Sequence, residues 1–262
     1  IRFCDKINIF QNNPYFFRVC INFFTILLSF YSCNKTEMYL PDNGVLLIIR
    51  TDMKKLLKTL EIQRWDDHRY YHHSRINQSL HLLSALSFLV SYIFLFINPI
   101  YSSLIAWLVA MTSRQAGHFF FEPKSYDTVN LATHDHKEEI KVGYNLHRKI
   151  VLLSIWAVIP LIYIVSPEFV HIFVPKDYEY SFISTVGIAW LFLGFFGLFF
   201  RAGQLLIKEN LYTSVAWVLK IITDPFHDVK LYYKSPWFLF VRRQLIDPMA
   251  EVTKSLREKE SI

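Results

Sequence analysis

Three long stretches of the chain carry no charged residue, and they indicate its architecture. The longest, residues 76–113, contains no Asp, Glu, Lys or Arg. It is interrupted only by Asn98-Pro99, a pair typical of a tight turn, and each half is long enough to cross a hydrocarbon core of about 30 Å. Residues 150–167 and 180–200 are the other two stretches. The pattern predicts an all-α, polytopic membrane bundle of four transmembrane helices, the first two forming a hairpin.

Lys and Arg are concentrated between the predicted spans in an uneven way. The segment before the first span and the connector between spans two and three are rich in both, whereas the loop between spans three and four has only Lys176. By the positive-inside rule, both termini and the connector are cytoplasmic. The net charge of +6 therefore reflects topology in an integral membrane protein. Outside the membrane-flanking regions the sequence has no basic face with interleaved aromatic residues, so it does not indicate nucleic-acid binding.

The overall composition agrees with a membrane protein. Hydrophobic residues make up 53% of the chain and aromatic residues 17%, which excludes a disordered or coiled-coil chain. The 7 glycines form no phosphate-binding loop.

Residues 1–52 read as an uncertain N-terminal extension with one further hydrophobic stretch at 19–34, followed by a four-span domain at 53–208. The extension holds the odd set of three cysteines, Cys4, Cys20 and Cys33, which supports neither a disulfide framework nor a zinc site.

Residues 209–262 read as an amphipathic and basic C-terminal tail. Apolar residues recur there at helical spacing and stop before Asp224-Pro225; they are Leu211, Val215, Leu219 and Ile222. One apolar stripe of this kind predicts a helix that lies along the membrane interface. We interpret it as a peripheral helix that seals the bundle.

Histidine is the residue type that points to chemistry. Eight of the 10 histidines fall on predicted cytoplasmic segments or on the cytoplasmic ends of spans: His68, His72, His73, His81, His118, His134, His136 and His147. Imidazole is the commonest metal ligand, and histidine with carboxylate but without cysteine favours Fe, Mn or Zn. The sequence therefore predicts a metal site on a cytoplasmic, histidine-rich face. His171 and His227 lie outside this cluster and are interpreted as incidental.

The spacing of the histidines limits which of them can share one ion. His68 and His72, like His118 and Glu122, are four residues apart and face the same way on a helix. His134 and His136 share a face only in an extended segment. His73 and His81 would lie about 12 Å apart along one helix, so they share an ion only if the helix begins after His73.

Two motifs resemble one enzyme family. Residues 71–81 read Y-H-H-S-R-I-N-Q-S-L-H, and residues 115–123 read Q-A-G-H-F-F-F-E-P. In this order, with a hydrophobic hairpin between them, they resemble the small endoplasmic-reticulum 2-hydroxy fatty-acid dioxygenases and their bacterial relatives. The resemblance covers about a fifth of the chain. It implies an Fe(II)-dependent enzyme that uses O₂ to shorten a 2-hydroxy long-chain fatty acid by one carbon.

The resemblance also implies roles for individual residues. His72, His73, His81 and His118 would be metal ligands or their close neighbours, supported by Asn77 and Glu122. His134 and His136 lie in a connector where the chain departs from the family, and we add them to the expected ligand set. The acyl chain is expected among Phe119, Phe120 and the span walls, and Arg75 or Arg114 is expected to bind the carboxylate.

Two other functions fit the same histidines. The H-x-x-x-H-H spacing also occurs in membrane di-iron hydroxylases and desaturases, although those proteins need several such boxes. A membrane scaffold protein with structural zinc is the non-enzymatic alternative, and it requires a closed site with four protein ligands. The number of metal ions per chain and the number of protein ligands distinguish the three.

Overall fold

The described part of the chain is mostly helical. The computed structural model describes residues 42–140, 146–172, 174, 178, 180–250 and 252–254. All regular secondary structure in these residues is helical, as predicted. By its internal contacts the chain divides after Lys54, and the fold below is that of the unit Lys55–Ile262. The three cysteines, the stretch at 19–34, Lys176 and the last residues of the tail lie outside the described residues.

Nine helical segments follow one another along the described residues. Helix α1 is Asp42–Tyr71 and α2 is Arg75–Ile97. Helix α3 runs without a break through Pro99–Leu104, Ile105–Met111, Thr112–Ala116 and Gly117–Phe121, of which the second and fourth are π-helical. The others are α4 (His134–Ile140), α5 (Leu146–Val165), α6 (Pro167–His171), α7 (Phe182–Lys208), α8 (Leu211–Tyr232) and α9 (Ser235–Phe240).

The predicted hairpin between α2 and α3 is confirmed. Asn98 ends α2 and begins α3, where its Oδ1 accepts a hydrogen bond from the backbone N–H of Ile100 at 3.0 Å. Pro99 occupies the first helical position, where a missing N–H costs nothing. Further along, Ser91 Oγ donates to the carbonyl of Ser102 and Ser102 Oγ donates to the carbonyl of Ser91, both at 2.9 Å. These bonds fix the register of the two helices.

Two of the helices, α2 and α7, are long and apolar enough to cross a membrane. Large apolar side chains of α2 remain exposed along its length, among them Leu83, Leu86, Val90, Ile93 and Phe96. The third predicted span is the helix α5, whose apolar part, Leu153–Val165, is shorter. The second is α3, which the π-helical segments divide. The structure therefore shows an all-helical chain with two membrane-span candidates, and the crossing of α3 and α5 remains a prediction.

The C-terminal helix α8 is longer than predicted. It continues through Asp224-Pro225 to Tyr232, because Pro225 is accommodated inside the helix and not at its end. It packs against α2 and α7. Beyond α9, the strap at residues 245–247 runs antiparallel to the residues between α1 and α2. The N–H of Asp247 donates to the carbonyl of His73, and the N–H of Arg75 donates to the carbonyl of Leu245, both at 2.8 Å.

Candidate metal centre

Three histidines from three places in the sequence meet at the start of α2. His72 Nε2 lies 3.2 Å from His81 Nδ1, and His81 Nε2 lies 3.0 Å from His118 Nε2. One ring nitrogen from each falls within 4.8 Å of the other two. His81 is only 1% exposed and His72 only 6%, whereas His118 is partly exposed. No other group of three His, Cys, Asp or Glu in the described residues has this geometry.

A helix break brings His72 and His81 together. Ser74 has extended backbone angles and caps α2 by accepting a hydrogen bond from the N–H of Asn77, so His72 and His73 precede the helix. The chain can therefore fold back, and the His72 and His81 ring centroids approach to 4.3 Å. From the spacing alone, His73 and His81 can share an ion only if α2 begins after His73. The break at Ser74 meets this condition.

His118 reaches the group from α3 through its second π-helical segment. The segment begins at Gly117, which faces Asn77 so closely that a Cβ placed there would lie 1.9 Å from the Asn77 Oδ1 atom. Only glycine allows α3 to approach α2 at this point. A π-turn widens the helix locally and is frequent at functional sites.

We expect Gly117→Ala to lower the stability of the protein and to disturb the group of His72, His81 and His118, the candidate metal group. Asn77 is fully buried and its side chain is bound to Glu122, so it cannot move aside freely. Overpacking of this kind costs about 1–3 kcal/mol of unfolding free energy. Gly197→Ala in α7 is the matched control, because its new Cβ meets nothing within 4 Å. Thermal unfolding and metal content of the two purified variants should differ, and equal values would contradict the packing argument.

Asn77 and Glu122 connect α2, the end of α3 and the His72–His73 turn. Asn77 Nδ2 donates to one Glu122 oxygen, and the backbone N–H of His73 donates to the other at 3.3 Å. Burial raises the pKa of Glu122 to about 8, although these hydrogen bonds act in the opposite direction. Glu122 thus connects the end of α3 to the His72–His73 turn. This arrangement places the two residues where they support the His72–His73 turn.

His73 faces away from the metal group. Its Nε2 lies 2.6 Å from the carbonyl of Arg69 and 3.3 Å from Asp127 Oδ2. Asp127 also pairs with Lys137, which is only 3% exposed. Adjacent histidines therefore have different partners: His72 joins the metal group, and His73 joins a buried ion pair in the connector.

The structure does not bring the other predicted histidines to the group. His134 and His136 lie in the short helix α4, where the extended geometry that would align them is absent. His134 Nε2 faces Glu138 at 3.5 Å, and His136 is exposed. His147 is also exposed, at the start of α5. His171 stacks on Tyr180, which lies just before the first residue of α7.

Of the four predicted substrate-binding residues, the structure places only one at the cavity beside the histidines. Arg114 lines a cavity of about 80 Å³ beside the metal group and pairs with Asp228. Arg75 pairs instead with Asp247 at 3.0 Å and lies over the Phe238 ring. Phe119 and Phe120 are not among the residues that line the cavity, and Phe120 is 77% exposed.

Helix α8 supplies site residues that sequence reasoning missed. Six of its side chains line the cavity: Lys220, Asp224, His227, Asp228, Leu231 and Tyr232. Asp228 Oδ2 lies 3.5 Å from His81 Nδ1, and the fully buried Tyr232 hydroxyl lies 2.8 Å from His68 Nδ1. A signal was present, because these positions recur every three or four residues and form a polar stripe opposite the apolar one. In the structure this stripe faces Arg64, Asp67 and His68 of α1.

The group fits a transition-metal ion by its chemistry. Burial and the neighbouring His81 and His118 hold the pKa of His72 well below its usual range, so His72 is neutral, as a metal ligand must be. Nitrogen ligands about 2.0–2.1 Å from one ion lie about 3 Å apart. One nitrogen from each of the three residues falls within 4.8 Å of the other two, so small side-chain shifts bring all three to one ion. Three histidines leave coordination positions for other ligands, unlike a closed structural zinc site.

Comparison with known proteins adds no relative. No family model, no curated protein and no solved structure matches the chain. Support for a function therefore lies in the two motifs and in the geometry of the residues that they bring together.

Proposed function

We propose that the chain is a membrane-bound, Fe(II)-dependent dioxygenase that removes one carbon from 2-hydroxy long-chain fatty acids. The observation that supports this most is the group of His72, His81 and His118, which come from the two motifs of the family resemblance. Histidines without cysteine suit non-haem iron. Arg114 lies beside them in the cavity, where a carboxylate head group can reach it.

In this proposal four helices cross the bilayer, α2, α3, α5 and α7, with both termini in the cytoplasm. Support comes from the apolar side chains that remain exposed on α5 and α7 as well as on α2; they include Leu153, Leu161, Ile164, Phe192, Phe196 and Phe200. Exposed surface of this kind needs a nonpolar environment. The metal group lies at the start of α2, so the site is at a membrane boundary, where an amphiphilic acid presents its head group.

The protein's own residues have defined tasks in the proposed reaction. His72, His81 and His118 would hold the iron, which when bound supplies the redox chemistry with O₂. Arg114 would bind the substrate carboxylate in exchange for part of its contact with Asp228. The cavity is large enough for the head group but not for an acyl chain, which must extend outward along apolar helix surface. Asn77 and Glu122 maintain the positions of α2 and α3 around the head group.

The overall reaction balances without another reductant. A 2-hydroxy acid and one O₂ give the acid one carbon shorter, CO₂ and water, with the C1–C2 bond broken and four electrons passed to oxygen. A site that pairs with the 2-hydroxyl rejects an acid that lacks it, because its polar groups would be left unpaired. We therefore expect plain fatty acids to react far more slowly.

Turnover by the purified full chain tests the proposal. The protein is loaded anaerobically with Fe(II) in detergent, given a 2-hydroxy C16 acid or the plain C16 acid, and exposed to O₂. Mass spectrometry should find the C15 acid from the hydroxy substrate only, and His118→Ala should produce none. His171→Ala, remote from the cavity, is the matched control and should remain active. Equal turnover of both acids would indicate a hydroxylase, and zinc held by four protein ligands without turnover would indicate a structural site.

A further inference from the structure

Asp228 contacts the central histidine of the metal group from a helix that the family motifs do not include. Its Oδ2 lies 3.5 Å from His81 Nδ1, and the residue is only 7% exposed. The same oxygen pairs with Arg114 of α3. Asp228 thus lies between α2, α3 and α8, on the Nδ1 side of His81.

The three imidazoles can order their protons in two directions. In one, His118 donates from Nε2 to His81 Nε2, and His81 donates from Nδ1 to His72. In the other, both bonds are reversed, and His81 carries its proton on Nε2. Both orders fit the separations of 3.0 and 3.2 Å. Only the first leaves His81 Nε2, the nitrogen nearest His118, without a proton of its own. That nitrogen becomes available to a metal when His118 shifts its proton from Nε2 to Nδ1 and releases the hydrogen bond.

We propose that Asp228 is a positioning residue that selects the first order, holding the His81 proton on Nδ1 and leaving Nε2 for the metal. A negative charge beside one ring nitrogen favours the N–H on that side. Carboxylates with this effect behind metal-binding histidines are a common device, and their loss costs about 10- to 100-fold in metal affinity. The inference builds on the metal centre of the proposed function, but it does not depend on the substrate.

Asp224 offers a direct comparison. It lies one turn before Asp228 on the same face of α8 and lines the same cavity. Its partners are Arg64 at 3.4 Å and Lys220 at 3.8 Å. No contact joins it to His81 among those of the described residues, so its removal changes the cavity charge equally without acting on the histidine.

The test reads the proton position directly, in metal-free protein. The full chain is labelled with ¹⁵N-histidine, and the His81 signals are identified by their loss in His81→Gln. We expect the proton on Nδ1 in the parent and in Asp224→Asn, and a shift toward Nε2 in Asp228→Asn. Should Asp228→Asn fail to fold, Arg114→Gln retains the carboxylate and must keep the proton on Nδ1. A proton on Nε2 in the parent, no shift in Asp228→Asn, or a shift in Arg114→Gln would each overturn the proposal.

Metal affinity supplies a second readout. Competition with a chelator should show Co(II) bound about 10- to 100-fold more weakly by Asp228→Asn than by Asp224→Asn. Equal affinities would overturn the assignment of Asp228. If the parent protein bound no metal, the proposed function would fail, whereas the proton position would still decide whether Asp228 orients His81.

Discussion

Replacing His81 or His118 with alanine is expected to remove the metal from the purified protein. Each residue supplies one of the three nitrogens in the only such group of the described residues, and two remaining ligands do not hold an ion through purification. Metal analysis after anaerobic purification should find background levels in both variants. Circular dichroism should show the helices retained, because α2 and α3 are joined along their length by contacts such as those of Ser91 and Ser102.

Two other histidines provide the controls for this experiment. His171→Ala alters a residue that stacks on Tyr180, and His136→Ala alters an exposed residue of α4. Both should retain the full metal content. Complete occupancy in His81→Ala and His118→Ala would refute the assignment, and loss of metal in His136→Ala would return the connector to the ligand set.

Replacing Asp127 with alanine is expected to destabilise the protein by about 3–5 kcal/mol, because it leaves the Lys137 ammonium buried without its carboxylate. Burial alone would raise the pKa of Asp127, but hydrogen bonds from Lys137 and Asn130 outweigh it and lower the value. The stabilisation is therefore complete above the ordinary carboxyl pKa and is lost as the pH falls through the lowered one. Thermal unfolding at neutral pH measures the effect.

Two further variants show whether the buried charge is the cause. Asp66→Ala breaks an ion pair with Arg69 in which the carboxylate is 40% exposed, and it should cost no more than about 1 kcal/mol. Asp127→Ala combined with Lys137→Met removes both charges and should recover much of the lost stability. If the single and double variants were equally unstable, packing and not charge would explain the effect.

The sequence was informative where a local pattern has one physical meaning. Uncharged stretches predicted α2 and α7, and Asn98-Pro99 predicted the turn between α2 and α3. His72, His81 and His118 were all in the predicted ligand set. His73 was in it too, but a pattern of adjacent histidines cannot show that a helix cap at Ser74 sends the two side chains in opposite directions.

What the sequence did not predict depends on long-range contacts. Asp228 and Tyr232 follow a proline that usually ends a helix, and their role depends on the packing of α8 against α2, some 150 residues away in the chain. The π-helical turn at Gly117 was hidden for a related reason. It lies where α3 closely approaches Asn77, a contact that no periodicity in either helix reveals.

The strap at residues 245–247 links the end of the chain to the turn that carries His72, and this has a consequence for biosynthesis. The three histidines are all translated in the first half of the chain, whereas Asp228 and the strap come near its end. In the proposed topology, α2 and α3 would enter the membrane while the ribosome is still making the rest. The backbone hydrogen bonds from Asp247 to His73 and from Arg75 to Leu245 form only after residues 245–247 have been made. The proposed metal centre would therefore be completed last, and a chain interrupted before the strap would carry the three histidines without a finished site.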